Sequence, residues 1–270
     1  MKVVLIMSKY KIAFFDIDGT LASNTPKDPN LSISDRIPLS AKKALISLEQ
    51  NGITPLIATG RGKSMILELV NDLQISSYIS ANGQSVVFHG EEIYSQFLDK
   101  ETIKAVIDEL DKHDLTYSFD TPDKRIVTAK SPELIVEMEQ GDDVGDHDDY
   151  LLYDVYQLAI YHDDIRSLIP KLNLPTNVSP KVVAPMVANI VPIGVSKAIA
   201  IEKVLELLDI EKSAALAFGD EENDLEMFDA VGTSIALGNA IELLKAKATY
   251  ITDTVDNDGI HKACKHFELY

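Results

Sequence analysis

Ile12-Ala13-Phe14-Phe15-Asp16-Ile17-Asp18-Gly19-Thr20-Leu21 is a short apolar run that ends in two carboxylates and a glycine. Four consecutive apolar residues read as a parallel strand buried on both faces, and Gly19 lets the chain turn sharply where the run stops. Residues two apart on a strand project to the same side. Asp16 and Asp18 could therefore converge at the strand's carboxyl end, which in an open α/β sheet is where ligands bind. The same letters also fit a strand followed by an Asp-Gly turn with both acids in water, so the rest of the chain must decide.

Outward from this stretch the pattern alternates strand and helix. Ser40 stands where it can cap a helix with Ala41, Ala44, Leu45 and Leu48 on one face and Gly52 at its stop. Ile53 to Ala58 reads as a second buried strand, Met65, Ile66, Leu69, Val70 and Leu73 as an amphipathic helix, and Tyr78 to Ala81 as a third strand. After Ile193 the texture returns. Helices are expected over Lys197 to Leu208, Asn223 to Val231 and Ile241 to Ala246, and strands over Ala214 to Phe218, Ser234 to Leu237 and at Tyr250-Ile251. Strands separated by such helices imply right-handed crossovers and a parallel sheet.

From Val86 to Pro185 the segments change character. Short alternating runs at Tyr117 to Asp120, Ile126 to Ala129 and Leu151 to Tyr161 mix with helices near Glu101 to His113, Pro132 to Gln140 and Asp164 to Leu172. The expected architecture is an α/β domain built from residues 1–85 and 186–270, with an α+β domain, 86–185, inserted between the halves. Gly141 to Tyr150 holds five aspartates without calcium-loop spacing and reads as a mobile acidic loop.

With 25 Lys and Arg against 43 Asp and Glu, the chain of 270 residues carries a formal charge of −18, which repels nucleic acid and anionic membranes. An anionic substrate would need local cations near the carboxylates. Cys264 is the only cysteine, so neither an intramolecular disulfide nor a cysteine cluster for zinc is possible; it reads as a small buried residue. No run of about 18 apolar residues occurs, and Val3 to Met7 is shorter than a signal-peptide core, which together read as a cytoplasmic protein. None of His89, His113, His147 and His162 shows metal-ligand spacing.

Three further segments fall at strand ends or helix starts. Thr59-Gly60-Arg61 follows the second strand and offers a hydroxyl, a backbone amide and a guanidinium suited to phosphate; a capped helix start fits the same letters. Lys197 opens a helix after Gly194-Val195-Ser196, where a lysine is ordinarily solvated. Gly219-Asp220-Glu221-Glu222-Asn223-Asp224 follows an apolar strand and gathers oxygen ligands of the kind Mg²⁺ prefers, although it would also complement a helix dipole.

In this order, with a large insert between the second and third of the four chemical segments, they resemble the signature of the haloacid dehalogenase superfamily, and within it the Cof-type phosphatases. Asn82-Gly83 and Asp256-Asn257-Asp258-Gly259 also look like this group, whereas Asn189 stands where many members carry an acid. The resemblance implies a Rossmann-like parallel-sheet core with an α+β cap of the C2, or IIB, type. It further implies a Mg²⁺-dependent phosphatase acting on small phosphorylated metabolites such as sugar phosphates or phosphorylated cofactors, as a monomer or homodimer. Asp16 would attack phosphorus, and Asp18 would protonate the leaving alkoxide and then deprotonate water. Asp16, the Asp18 carbonyl and Asp220 would hold the metal. Thr59, Gly60, Arg61 and Lys197 would bind the phosphoryl group, with Lys197 also stabilising the nucleophile; pairing with a nearby acid is the alternative for Arg61. Asn223 and Asp224 would orient Lys197 or metal-bound water. A phosphomutase of the same superfamily and a non-catalytic phospho-ligand sensor are the alternatives. Free phosphate separates the first, and the acid two residues from a nucleophile argues against the second.

Because Met7 lies just ahead of the first strand, translation is expected to start there. The intact mass of protein from its native host checks this, and the full-length mass would reject it.

Overall fold

In the computed structural model, residues 9–25, 31–128 and 142–270 are described. The run that opens the chain's pattern is strand β1, Ile12–Phe15, every residue of it buried. It lies at the middle of an eight-stranded sheet. On one side are β12 (Ala215–Gly219), β13 (Thr233–Ala236) and β14 (Tyr250–Ile251); on the other are β2 (Thr54–Ala58), β3 (Tyr78–Ser80), β4 (Ser85–Phe88) and β5 (Glu91–Ser95). Pairing is parallel from β14 through β3, and antiparallel for β3 with β4 and β4 with β5.

Alternation along β1 explains its continuous apolar run. Ala13 and Phe15 enter one core cluster, and Ile12 and Phe14 enter the other, on the opposite face of the sheet. Phe15 stacks on Phe218 of β12 with ring centroids 4.6 Å apart. Cys264 is buried in the first of these clusters, and burial pushes its thiol up to about 12.

Helices cover both faces. Leu39–Gln50 buries Ala41, Ala44, Leu45 and Leu48, and its end closes with Gly52 N–H on Glu49 O and Ile53 N–H on Leu48 O. The cap expected of Ser40 is not formed: Pro38 precedes the helix, and the Ser40 hydroxyl donates to Asp258 Oδ1 instead. The helix expected around Met65 to Leu73 is a 3₁₀ turn, Ser64–Ile66, followed by the short helix Leu67–Asp72.

The second sheet has six strands in the order β10, β11, β9, β6, β7, β8, namely Val178–Ala184, Val187–Pro192, Gln157–Tyr161, Thr116–Asp120, Arg125–Thr128 and Asp143–Gly145. All its pairs are antiparallel except β7 with β8. One face is apolar: Tyr117, Phe119, Leu158, Ile160 and Ile190 cluster with Ile103, Val106, Ile107 and Leu110 of the helix Lys100–Lys112. Pairing sets Asp120 opposite Gln157, and Ala159 opposite both Ser118 and Asn189, so these residues line the other, largely polar face.

Sheet membership corrects the expected boundaries. The expected break at 85/86 falls inside β4, and the hairpin β4–β5 extends the parallel sheet through β3. Val187–Pro192, assigned to the α/β domain, pairs with β9 and β10; a break at 185/186 would cut the hairpin in which Ala184 faces Val187. Of the run expected over Leu151 to Tyr161, only Gln157–Tyr161 is the strand β9: Leu151 closes the 3₁₀ turn His147–Leu151, and Val155 makes an isolated bridge to Leu98. The acidic segment is ordered where it is described, since β8 pairs with β7 and Asp142 pairs with Arg125. Gly141 and the helix expected over Pro132 to Gln140 lie outside the described residues.

Phe218→Ala would empty the ring position stacked on Phe15. It is expected to cost about 3–5 kcal/mol of stability, read as a lower urea midpoint with the slope unchanged.

Candidate active site

Asp16 is the residue after β1, and its N–H continues the ladder by donating to Phe218 O at 3.1 Å. The chain then folds back: Ile17 O accepts from Thr20, Leu21 and Ala22, and Gly19 N–H donates to Ala22 O. Gly19 has φ +81°, and a Cβ there would lie 2.0 Å from Asp220 Oδ2, so this turn admits the acidic loop only because position 19 has no side chain. Thr20 Oγ1 donates to Asp220 Oδ1 at 2.9 Å, and Asn239 Nδ2 holds Gly19 O at 2.7 Å.

Lys197, expected to be solvated if it were an ordinary helix residue, is 1% exposed. It is the first residue of the helix Lys197–Leu207, whose N-cap Ser196 accepts from Ile199 N–H. Its Nζ lies 2.6 Å from Asp16 Oδ1 and 2.7 Å from Asp224 Oδ1. The other Asp224 oxygen accepts from the N–H groups of Asp220 and Glu221, which fixes the loop after β12. Carboxylate oxygens of Asp16, Asp220 and Asp224 all lie within 4.8 Å of one another. One ammonium thus faces three buried acids.

The titration behaviour follows from that arrangement. Burial raises the Asp16 carboxyl, Lys197 pulls it back, and the Asp224 and Asp18 charges raise it again, leaving it above its ordinary 3.8. Asp220 is raised as well, by burial and then by Asp16 and Asp224. For Lys197 burial alone would release the proton, but Asp16 and Asp224 outweigh it and hold the ammonium charged.

Asp18 sits apart from that cluster. Its carboxylate receives a two-pronged contact from Arg61, Nε to Oδ2 at 2.7 Å and Nη2 to Oδ1 at 2.9 Å. Burial acts to raise Asp18, and the Arg61 charge and hydrogen bonds overcome it, so the group stays ionised below the usual carboxylate range. Of the two roles expected of Arg61, at the phosphoryl group or paired with a nearby acid, the structure shows the second, because the planar guanidinium matches a carboxylate edge. Thr59 is buried at the end of β2, and its Oγ1 accepts from Arg61 N–H at 3.2 Å. Gly60 O accepts from two side chains of the second sheet, Gln157 Nε2 at 2.7 Å and Asn189 Nδ2 at 3.1 Å.

Asn223 is not at Lys197. Its Nδ2 reaches Asn82 Oδ1 at 3.3 Å, and Asn82 Nδ2 donates to Gln157 Oε1 at 3.0 Å. Asp258, in the later Asp-Asn-Asp-Gly stretch, receives Ser40. His89, His113, His147 and His162 are all exposed.

Several site residues escaped the sequence reading. Asn239 lies just beyond the carboxyl end of β13, and the rule that ligands gather at that edge would have pointed to it. Asp120 and Gln157 carried no such signal, because only strand register brings them to Gly60 and Gly62.

The model of the family described as haloacid dehalogenase-like hydrolase matches residues 13–264. Among similar proteins is YkrA of Bacillus subtilis, 32% identical over 268 residues that cover 96% of this chain and 98% of the relative. YcsE of the same organism, named a 5-amino-6-(5-phospho-D-ribitylamino)uracil phosphatase, is 31% identical and covers 96% of each chain. The solved structure of BT1666, from Bacteroides thetaiotaomicron and described among phosphatases of this superfamily, superposes with a TM-score of 0.80 at 26% identity, over 100% of this chain and 98% of that one. A parallel sheet whose first strand ends in Asp16, a buried Lys197 and an acidic loop after β12 accompany that family match, and the chain belongs to the haloacid dehalogenase-like hydrolases.

Proposed function

We propose that this enzyme is a phosphatase that moves the phosphoryl group of a small phosphorylated metabolite first to Asp16 and then to water. The observation that carries the reading is the Asp16 carboxylate, which emerges at the end of β1 with Lys197 Nζ 2.6 Å from one oxygen and an Asp220 oxygen within 4.8 Å. Lys197 restrains one Asp16 oxygen and leaves the other to attack phosphorus. As the Asp16 oxygen–phosphorus bond forms, the ester bond breaks, and the departing alkoxide takes the proton of Asp18. Water then attacks the aspartyl phosphate, returns its proton to Asp18 and frees Asp16 and inorganic phosphate.

Arg61 sets the protonation state of Asp18 in this scheme. Paired, it keeps Asp18 as a carboxylate, the form that accepts the proton of water. Protonation of Asp18 for the first step requires the guanidinium to withdraw. Thr59 and the Gly60 amide are the proposed holders of phosphoryl oxygens, since the Thr59 oxygen accepts from Arg61 N–H and, among the described residues, its own proton is left to donate.

The donor set fits Mg²⁺. Asp16 and Asp220 offer carboxylates, to which the family resemblance adds the Asp18 carbonyl, and the surplus of buried negative charge that raises both acids is what a hard cation would relieve. When bound, it supplies positive charge that offsets repulsion between the Asp16 carboxylate and a phosphate dianion. Asp224 is spoken for by Lys197 and two backbone N–H groups, which leaves it to orient rather than to ligate. A sugar phosphate or phosphorylated cofactor as substrate is supported by the phosphorylated ribityl compound named for YcsE.

With a panel of phosphate esters and Mg²⁺, the enzyme is expected to release inorganic phosphate and to stop on chelation. Asp16→Asn should abolish turnover while remaining folded, and Asp18→Ala should lose roughly 10²–10⁴-fold. Full activity in Asp16→Asn, or indifference to chelator, would remove the nucleophile or the metal from the scheme.

Asp16 and Asp220 are raised above 3.8 in the fold, so the native state binds more protons than the unfolded chain as pH climbs past that value. Their contribution to metal-free stability therefore falls with rising pH. Mg²⁺ should raise the melting temperature, and raise it more at about pH 8 than at about pH 5. A melting temperature unmoved by Mg²⁺ at both would contradict the assigned site.

A further inference from the structure

Gly60 O takes two side-chain hydrogen bonds, and both come from the inserted sheet. Gln157 opens β9 and Asn189 lies on the adjacent β11, both on the polar face, 0% and 4% exposed. Gln157 has no freedom left: Nε2 donates to Gly60 O and to Asp120 Oδ2, and Oε1 accepts from Asn82. A flipped amide would set its oxygen against two acceptors, so the orientation is determined. Asn82 in turn accepts from Asn223 of the loop after β12. The approach is close enough that a Cβ at Gly60 would lie 2.9 Å from Val183 Cγ1 and 3.1 Å from Asn82 Oδ1.

The carbonyl of Gly60 and the N–H of Arg61 belong to one rigid peptide unit. Gripping the carbonyl from above sets the direction of that N–H, which holds Thr59 Oγ1, and anchors the base of the Arg61 side chain that reaches Asp18. We propose that Gln157 and Asn189 are positioning residues: docking of the inserted sheet, through the Gly60–Arg61 peptide, aims the Thr59 hydroxyl and the Arg61–Asp18 pair. Thr59, and Asp18 in the carboxylate form that takes the proton of water, are then set in place only when the insert is closed, so closure is coupled to chemistry and not only to exclusion of water. This rests on the functional reading above, in which Thr59 and Asp18 take part in phosphoryl transfer.

The test is turnover of p-nitrophenyl phosphate with Mg²⁺ by Asn189→Ala, Gln157→Met and the double variant, alongside melting temperature. Each single variant leaves one donor on Gly60 O. Each is expected to lower kcat roughly tenfold with a much smaller change in KM, and the double variant should lose more than the product of the two. Hydrogen exchange over residues 58–63 should accelerate in the double variant while β1 stays protected. Values of kcat within about twofold of the parent in all three variants, with only the melting temperature lowered, would overturn the inference and leave a structural role. Should Gln157→Met fail to fold, Asn189→Ala decides alone, because among the described residues its amide makes its hydrogen bond to Gly60 O. A parent enzyme that releases no phosphate would sink the functional reading itself; an active parent with equally active variants sinks only the positioning role.

Discussion

The ammonium of Lys197, buried between Asp16 and Asp224, is the interaction on which the site depends. Asp16, Asp220 and Asp224 leave water together, and like charges in such a space disfavour ionisation unless a cation is at hand. Lys197 meets part of that need, with one contact 2.6 Å and another 2.7 Å from its nitrogen. Removing one partner of a buried ion pair strands the other, which is why such groups cost about 3–5 kcal/mol when broken. The remaining negative charge is what a divalent cation at the proposed site would relieve.

The apolar framework makes that charge cluster possible. Ile12 to Phe15 fill both faces of the central sheet, so β1 cannot slide without exposing a whole set of buried side chains. Register then delivers Asp16 beside the end of β12, whose loop carries Asp220 and Asp224. The glycine turn at position 19 lets that loop approach to contact distance. Each device is local, and each acts on atoms far away in sequence: Thr20 and Asp220 are 200 residues apart.

The inserted sheet plays a different part. Its apolar face packs on its own helix, while Asp120, Gln157 and Asn189 turn toward the loops of the parallel sheet. Arg166 with Glu221 and Lys181 with Glu226 add charged contacts between the two units. Hydrogen bonds running from Asp120 through Gln157 and Asn82 to Asn223 tie two strands of the inserted sheet to two loops of the parallel sheet, and they fix the amide orientation of Gln157 at the centre.

The amino-acid sequence by itself determined the α/β alternation, the strand ending in Asp16 and Asp18, and the positions of Thr59, Lys197 and the Asp220 loop at helix starts or strand ends. Those features are written in local periodicity and in turn chemistry, which adjacent residues carry. It did not determine that Arg61 would pair with Asp18, that Asn223 would leave Lys197 for Asn82, or that Asn189 would grip Gly60. It also misplaced the edges of the insert, because an antiparallel hairpin has the same alternation whichever sheet it joins. Only the tertiary structure decided these, since each depends on which strands pair, in what register, and how closely two sheets approach through Gly60.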